Sequence, residues 1–179
     1  MTKLSPVAAV LLNDRNLQIG NICFQWAHLE YLLSLAIWSL LRVDNETGAI
    51  LTGGTSIRPR VDLAVKLSIH LQAPKLATLT LKEVQTRLQK GLEDRRNRAV
   101  HGRRQLDSNN PSIDHVEMLR GSKKGLHPQS NADLAKLGND IADAANLLHQ
   151  AMLETNVYHT PCTKPEKIRL PIMKASQPV

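Results

Sequence analysis

Apolar residues recur every three or four positions through most of the chain, a spacing that predicts helices. Between about Asn13 and Arg42 the positions Leu17, Ile19, Ile22, Cys23, Trp26, Leu29, Leu33, Ile37, Leu40 and Leu41 form one broad stripe that no proline interrupts. A helix of about thirty residues spans roughly 45 Å. Gly48 and the pair Gly53-Gly54 read as turns around a short element, Thr47 to Leu51. Ser56 is placed to cap a second helix with Pro59 in its first turn, the stripe Val61, Leu63, Ala64, Leu67 and Leu71, and a stop at Pro74. A third helix, from near Thr80 to His101, carries Leu81, Val84, Leu88, Leu92, Ala99 and Val100. The segment Asp107–Pro111 reads as a turn, and Ile113, Val116, Met118 and Leu119 before Gly121–Gly125 read as a short hairpin. Ser130 or Asn131 caps a last helix, where Leu134, Leu137, Ile141, Ala144, Ala145, Leu148 and Met152 repeat with helical period.

The pattern stops after that helix. Residues 1–155 read as one helical domain, large enough to bury a core. Residues 156–179 carry Pro161, Pro165, Pro171 and Pro178 and four basic residues against Glu166 alone, which reads as an extended basic arm. The formal charge of +7 favours an anionic partner such as nucleic acid. Aromatic content of 3% argues against a protein that stacks single-stranded bases on aromatic rings, so any RNA contact should be made mainly through phosphates. Cys23 and Cys162 support neither a zinc site nor a disulfide framework, and the apolar run Val7–Leu12 is too short to span a bilayer. The expectation is a soluble cytoplasmic protein without membrane association. The histidines other than His101 (His28, His70, His115, His127, His149 and His159) have no mutual metal-ligand spacing, and no P-loop, Rossmann fingerprint or paired-carboxylate site appears. No metal or cofactor is therefore expected.

The most distinctive chemistry lies in residues 95–104, R-R-N-R-A-V-H-G-R-R, which hold five arginines, one asparagine and one histidine without an acid. Imidazole exchanges protons near neutral pH, and guanidinium holds phosphate oxygens bidentately. On a helix Asn97 and His101, four apart, share a face. Arg96 and His101, five apart, diverge by roughly 140° on an ideal helix, and converge only through the length of Arg and a fraying helix end. Arg95, six before His101, is placed at least as well, so geometry alone leaves Arg95 and Arg96 both open as the phosphate-stabilising residue.

The spacing Arg96-Asn97-x-x-x-His101 resembles the signature of the HEPN superfamily (higher eukaryotes and prokaryotes nucleotide-binding domain): an Arg, a polar residue after it, and a His four to six residues beyond the Arg. The order of elements, with W-A-H-L-E at residues 26–30 in the first helix and R-N-R-A-V-H-G closing a later one, is similar to bacterial HEPN-like proteins over roughly residues 13 to 155. The resemblance implies an all-α antiparallel bundle of four to five helices, with the short hairpin or loop insertion before the last helix. It implies a metal-independent endoribonuclease, such as a toxin or phage-defence effector, with a protein antitoxin as one expected partner. Arg96, Asn97 and His101 would be catalytic, with the RNA 2′-OH attacking the adjacent phosphate to leave 2′,3′-cyclic phosphate and 5′-OH ends. Arg95, Arg98, Arg103 and Arg104 would bind RNA. One histidine per motif is too few for a paired acid and base, and the resemblance implies a homodimer with two motifs facing one cleft. Such a dimer would be built by the first helix, the motif helix, or both, with Trp26 and Trp38 on the two flanks of the first helix.

Two further readings stay open. Glu30, on the apolar stripe of the first helix, either pairs with a motif arginine across the bundle or faces solvent at the stripe's edge. Arginines near a helix end, with His101 and Gly102 as an ordinary last turn and C-cap, also suit a non-catalytic helical module that binds RNA, nucleotide or a protein partner.

Overall fold

Helix α1 (Pro6–Leu41) runs for 36 residues, and its length sets the frame for the rest of the chain. The computed structural model describes residues 6–106, 113–117 and 126–156. The basic arm from 157 onward, the Asp107–Pro111 turn and the Gly121–Gly125 tip all lie outside the described residues. Helix α1 begins seven residues before the Asn13 expected from the stripe. Proline suits a first helical position, the residues after it favour helix, and exposed Asn13 and Asp14 simply face outward from the third turn.

Helix α2 (Asn45–Thr52) is capped by Asp44, whose Oδ1 accepts from the Thr47 N–H at 2.8 Å. Gly48, expected to be a turn, is buried inside this helix. It is glycine because the Trp38 ring lies on it: a Cβ there would stand 2.5 Å from Trp38 Cγ and Cδ2. The ring is held by its Nε1–H, which donates to Thr52 Oγ1 at 3.1 Å. Trp38 thus locks α2 to α1. Helix α3 (Ile57–His70) follows Ser56, and the short connection through Pro74 leads into α4 (Lys75–Arg87). Helix α4 starts five residues earlier than Thr80: α3 ends at His70, the chain turns through Gln72 at φ +51°, and Pro74 immediately precedes the next helix.

Helices α1, α3, α4 and α6 (Asn131–Glu154) pack in a ring, α1 on α3, α3 on α4, α4 on α6 and α6 on α1. The fold is an all-α bundle. Ile22, Leu29, Leu33 and Ile37 of α1 meet Val61 and Ala64 of α3, Leu81 and Val84 of α4, and Leu134, Ile141, Ala145 and Leu148 of α6 in one buried cluster. Each large side chain taken from water contributes about 1.5–3 kcal/mol, so this shared seam carries the stability of the bundle. All seven positions of the expected α6 stripe are buried, whereas Leu17, Leu63 and Leu71, expected on buried stripes, are exposed. Arg15, only 1% exposed, donates from Nε to Asn131 Oδ1 at 3.1 Å and ties α1 to the start of α6.

The expected third helix is two helices. A π turn, Leu88–Leu92, separates α4 from α5 (Glu93–His101), and Gly91 within it has φ +98°. That backbone is open to glycine and strained for other residues. Leu88 and Leu92 remain buried across the kink, so it redirects α5 without giving up its anchor. Beyond α5 the hairpin is a three-stranded antiparallel sheet, order β1-β2-β3: β1 (Arg103–Leu106), β2 (Ile113–Glu117) and β3 (Leu126–Ser130). Arg103 pairs with Glu117, and Ile113 with Ser130. The sheet bridges two helix ends, since β1 leaves the C-cap of α5 and β3 delivers Ser130 as N-cap of α6. There Ser130 and Asp133 form a reciprocal capping box.

Candidate functional site

Helix α5 has Glu93 and Asp94 in its first turn and Arg98 and His101 in its last, the charge order that suits a helix dipole. Arg58 of α3 pairs with Glu93 and, at 3.4 Å, with Asp94, fixing the start of the helix. At the other end the Gly102 N–H donates to the Arg98 carbonyl at 3.0 Å. The turn is tight against the sheet: a Cβ on Gly102 would overlap Val116 Cγ1 and stand 2.6 Å from the Arg98 carbonyl oxygen. Gly102 has φ −70°, so close approach, and not backbone freedom, is why a glycine stands there.

Arg96, Asn97 and His101 come together. Arg96 Nη1 donates to Asn97 Oδ1 at 3.0 Å and lies 3.1 Å from His101 Nε2. Arginine has only donors, so a hydrogen bond across this contact needs Nε2 as its acceptor, the arrangement of the Nδ1-protonated tautomer. The side chain crosses the divergence between positions 96 and 101 because its guanidinium rests on the Trp26 ring, 5.2 Å from the ring centroid. Trp26 is buried, and its Nε1–H donates to Glu30 Oε1 at 3.0 Å. Glu30 is half-buried and, among the described residues, makes no ion pair with a motif arginine. It anchors the ring beneath the motif arginine, one residue removed from the guanidinium. Arg96 Nε is buried and has no hydrogen-bond partner among the described residues. His101 is exposed.

The neighbouring arginines divide differently. Arg95 Nη1 bonds Asp140 Oδ2 of α6 at 2.8 Å, and Lys136 Nζ bonds the other oxygen at 3.1 Å. Burial pushes the Asp140 carboxyl up, but the Arg95 and Lys136 hydrogen bonds and charges outweigh it and hold it below its ordinary value. Of the two arginines left open by the sequence, Arg96 is the one that reaches His101, and Arg95 is engaged by a carboxylate. The i,i+4 spacing of Lys136 and Asp140 was visible in the sequence, but its meeting with Arg95 depends on how α5 and α6 pack. Arg98 is half-buried on the Arg95 side of α5, and Arg103 is exposed at the start of β1. Arg104 follows it in β1.

On α1, Val10, Leu17, Phe24 and Tyr31 are 67, 63, 69 and 54% exposed at intervals of seven residues, an apolar stripe facing outward. Phe24 and Trp26 are two residues apart, roughly 200° around the helix, so this stripe and the Arg96 platform lie on opposite sides of α1. The described residues contain no group of three or more His, Cys, Asp or Glu side chains that could hold a metal ion, and no helix among them is long and apolar enough to cross a membrane. Comparison with family models, with curated proteins and with solved structures finds no match to this chain.

Proposed function

We propose that the chain is a metal-independent endoribonuclease of the HEPN type, acting through Arg96, Asn97 and His101. The observation that carries this reading is the hydrogen-bonded cluster of those three side chains at an exposed helix end, with Arg96 fixed on Trp26. A guanidinium held in place before substrate arrives meets the requirement for electrostatic stabilisation of a phosphorane without reorganisation. In the neutral tautomer His101 Nε2 is a base in position to take the 2′-OH proton, once phosphate draws the guanidinium away from it. Asn97 holds Arg96 and orients it. Attack of the 2′-oxygen on phosphorus then expels the 5′-oxygen, leaving 2′,3′-cyclic phosphate and 5′-OH ends.

Protonating the leaving oxygen calls for a second acid, and each motif offers one imidazole. We therefore place the active form as a homodimer. Pairing along the outward stripe of α1 would leave the two motifs on the far sides of the paired helices, so a shared cleft requires the α5 ends to meet. The test is purified protein incubated with a mixed RNA pool in EDTA, with product termini identified. Cyclic phosphate and 5′-OH ends support the reading, and intact RNA or 3′-OH ends defeat it. Mixing His101→Ala chains with Arg96→Ala chains tests the composite site, since activity regained by the mixture requires residues from both chains. A role as toxin or defence effector, with a protein antitoxin, fits such an enzyme. The second reading, a binding module without catalysis, draws on the Arg96–His101 contact itself, which occupies the one imidazole nitrogen that a base would use.

A further inference from the structure

Helix α1 presents to solvent a side that the bundle does not use. Val10, Leu17, Phe24 and Tyr31 stand outward on it, each more than half exposed and seven residues from the next. Single apolar residues are ordinary on a protein surface, but an aligned row of them marks a contact. Seven residues is also the period at which two helices wind around each other. Small residues lie between the large ones: Gly20 follows Leu17 by three positions, Ala27 follows Phe24 by three, and both are exposed. Nothing in the fold explains Gly20. Among the described residues no atom lies within 4 Å of where its Cβ would stand, and glycine inside a helix is less favourable than alanine. The missing side chain leaves a seat between Leu17 and Phe24 that a large side chain from outside can fill. Charge is absent there as well. Residues 16–29 hold no Asp, Glu, Lys or Arg, in a chain where 22% of residues are charged. Exposed Asn16, Gly20, Asn21 and Ala27 give the composition of an interface centre and not of a solvated helix face.

We propose that this side of α1 is the seam of an antiparallel pair with α1 of a second copy of the chain. The order of the side chains selects both the partner and the direction. In a helix pair each large seam residue inserts between residues of its partner, and in the antiparallel case it lies level with one of the partner's intervening positions. With a two-fold axis level with residue 22, Phe24 of each chain enters the Gly20 seat of the other, Leu17 meets Ala27, and Tyr31 meets Asn13. Each of these three large residues then faces a small or polar one, and the symmetry makes each contact twice. Parallel pairing would instead set Phe24 on Phe24 and leave Gly20 facing Gly20 across a gap. At roughly 200 Å² for a large side chain, the exposed fractions of the row leave on the order of 500 Å² of apolar surface per chain, or about 1,000 Å² in a pair, the size at which a specific interface becomes stable. The seam lies on the side of α1 away from the Arg96 platform, so it is additional to any meeting of the α5 ends and does not rest on the nuclease reading. Where the α5 ends also meet, each chain carries two self-complementary surfaces and the assembly grows beyond a dimer.

The test is sedimentation equilibrium of the full chain, with circular dichroism as the control for folding. The wild type should sediment as a dimer, or as a tetramer where the α5 ends also pair. Phe24→Glu should halve that mass, raising the dissociation constant of the seam at least about a hundredfold, because a two-fold pair loses the contact twice. Phe24 is 69% exposed, so the variant should fold. Gly20→Leu is a second variant that keeps the fold, since leucine is the better helix former. It fills the seat, and should weaken pairing at least about tenfold. Direction is read from disulfides, after Cys23 and Cys162 are replaced by serine. Asn13→Cys chains mixed with Tyr31→Cys chains should cross-link, and neither should cross-link alone, since like residues then stand about 27 Å apart along the seam. The proposal is overturned if the wild type is monomeric at high micromolar concentration, or if folded Phe24→Glu keeps the wild-type mass. It is equally overturned if Gly20→Leu pairs as tightly as the wild type, or if Asn13→Cys chains cross-link with one another.

Discussion

Replacing Gly102 by alanine should damage both the stability of the domain and the alignment of the motif. The backbone itself tolerates the change, since φ −70° and ψ 141° suit any L residue. The new methyl does not fit: it overlaps Val116 Cγ1 and stands 2.6 Å from the Arg98 carbonyl oxygen. Carbon contacts are comfortable from about 3.5 Å, so the carbonyl must move by about 0.9 Å. That carbonyl is main chain in the last turn of α5 and accepts the Gly102 N–H, so it has no rotamer to escape into. Val116 is 1% exposed and paired on both sides within β2, opposite Arg104 and His127, so it also yields only by shifting the sheet. Overpacking of this kind costs about 1–3 kcal/mol. Reducing unfolded-state freedom by replacing glycine returns only about 0.4–1 kcal/mol, so destabilisation wins. For a chain of this size the net loss corresponds to a fall in Tm of a few degrees. Thermal unfolding followed by circular dichroism measures it, and adding Val116→Ala should recover part of the loss by removing one of the two clashes. A Gly102→Ala variant as stable as wild type would refute the close approach of β2 to the end of α5.

Other perturbations separate the arginines and the carboxylates. Arg96→Lys should retain much of the RNA affinity while losing most of the cleavage rate, because lysine keeps a charge but lacks the planar fork; a rate close to wild type would argue against a transition-state role. Arg95→Ala should leave the cleavage rate far less affected than Arg96→Lys and cost under about 1 kcal/mol in denaturant unfolding, since its partner Asp140 keeps Lys136 and the pair is partly exposed. The Asp133 carboxyl is held below its ordinary 3.8 by hydrogen bonds from the Ser130 backbone and side chain. A depressed carboxylate contributes stability that is complete above its unfolded value and is lost as pH falls through the folded one. Stability should therefore decline from about pH 4 downward, and Asp133→Asn should make that acid limb shallower; an unchanged limb would show that the capping box does not persist in solution.

Periodicity made much of the bundle readable. The α6 stripe was legible because every third or fourth residue from Leu134 to Met152 faces the same core. Elements whose logic is tertiary were not. Gly48 looked like a turn because glycine is rare inside helices, and only the Trp38 ring lying on it explains its place. The π turn at Leu88–Leu92 keeps its apolar spacing through the kink, so the pattern continued while the axis bent at Gly91. The motif residues stood out by type and spacing, but which arginine reaches His101 depends on Trp26 and Asp140, which lie 70 residues from Arg96 and 45 from Arg95 in the chain. The cavity lined by Arg98, Gln129 and Leu137 was invisible for the same reason, since these residues meet only when the sheet folds between α5 and α6.

The central claim is that His101 transfers a proton during RNA cleavage, with Arg96 stabilising the phosphorane. The most direct measurement is the single-turnover cleavage rate of one defined RNA by wild type and by His101→Ala, prepared identically, in EDTA and with matched circular dichroism spectra. His101 is exposed, so its removal should leave the fold intact. The account predicts cyclic phosphate ends from the wild type and a rate lower by about 10²–10⁴-fold in the variant. Equal rates from the two proteins, or no cleavage by folded wild type at any pH from 5 to 9, would contradict it.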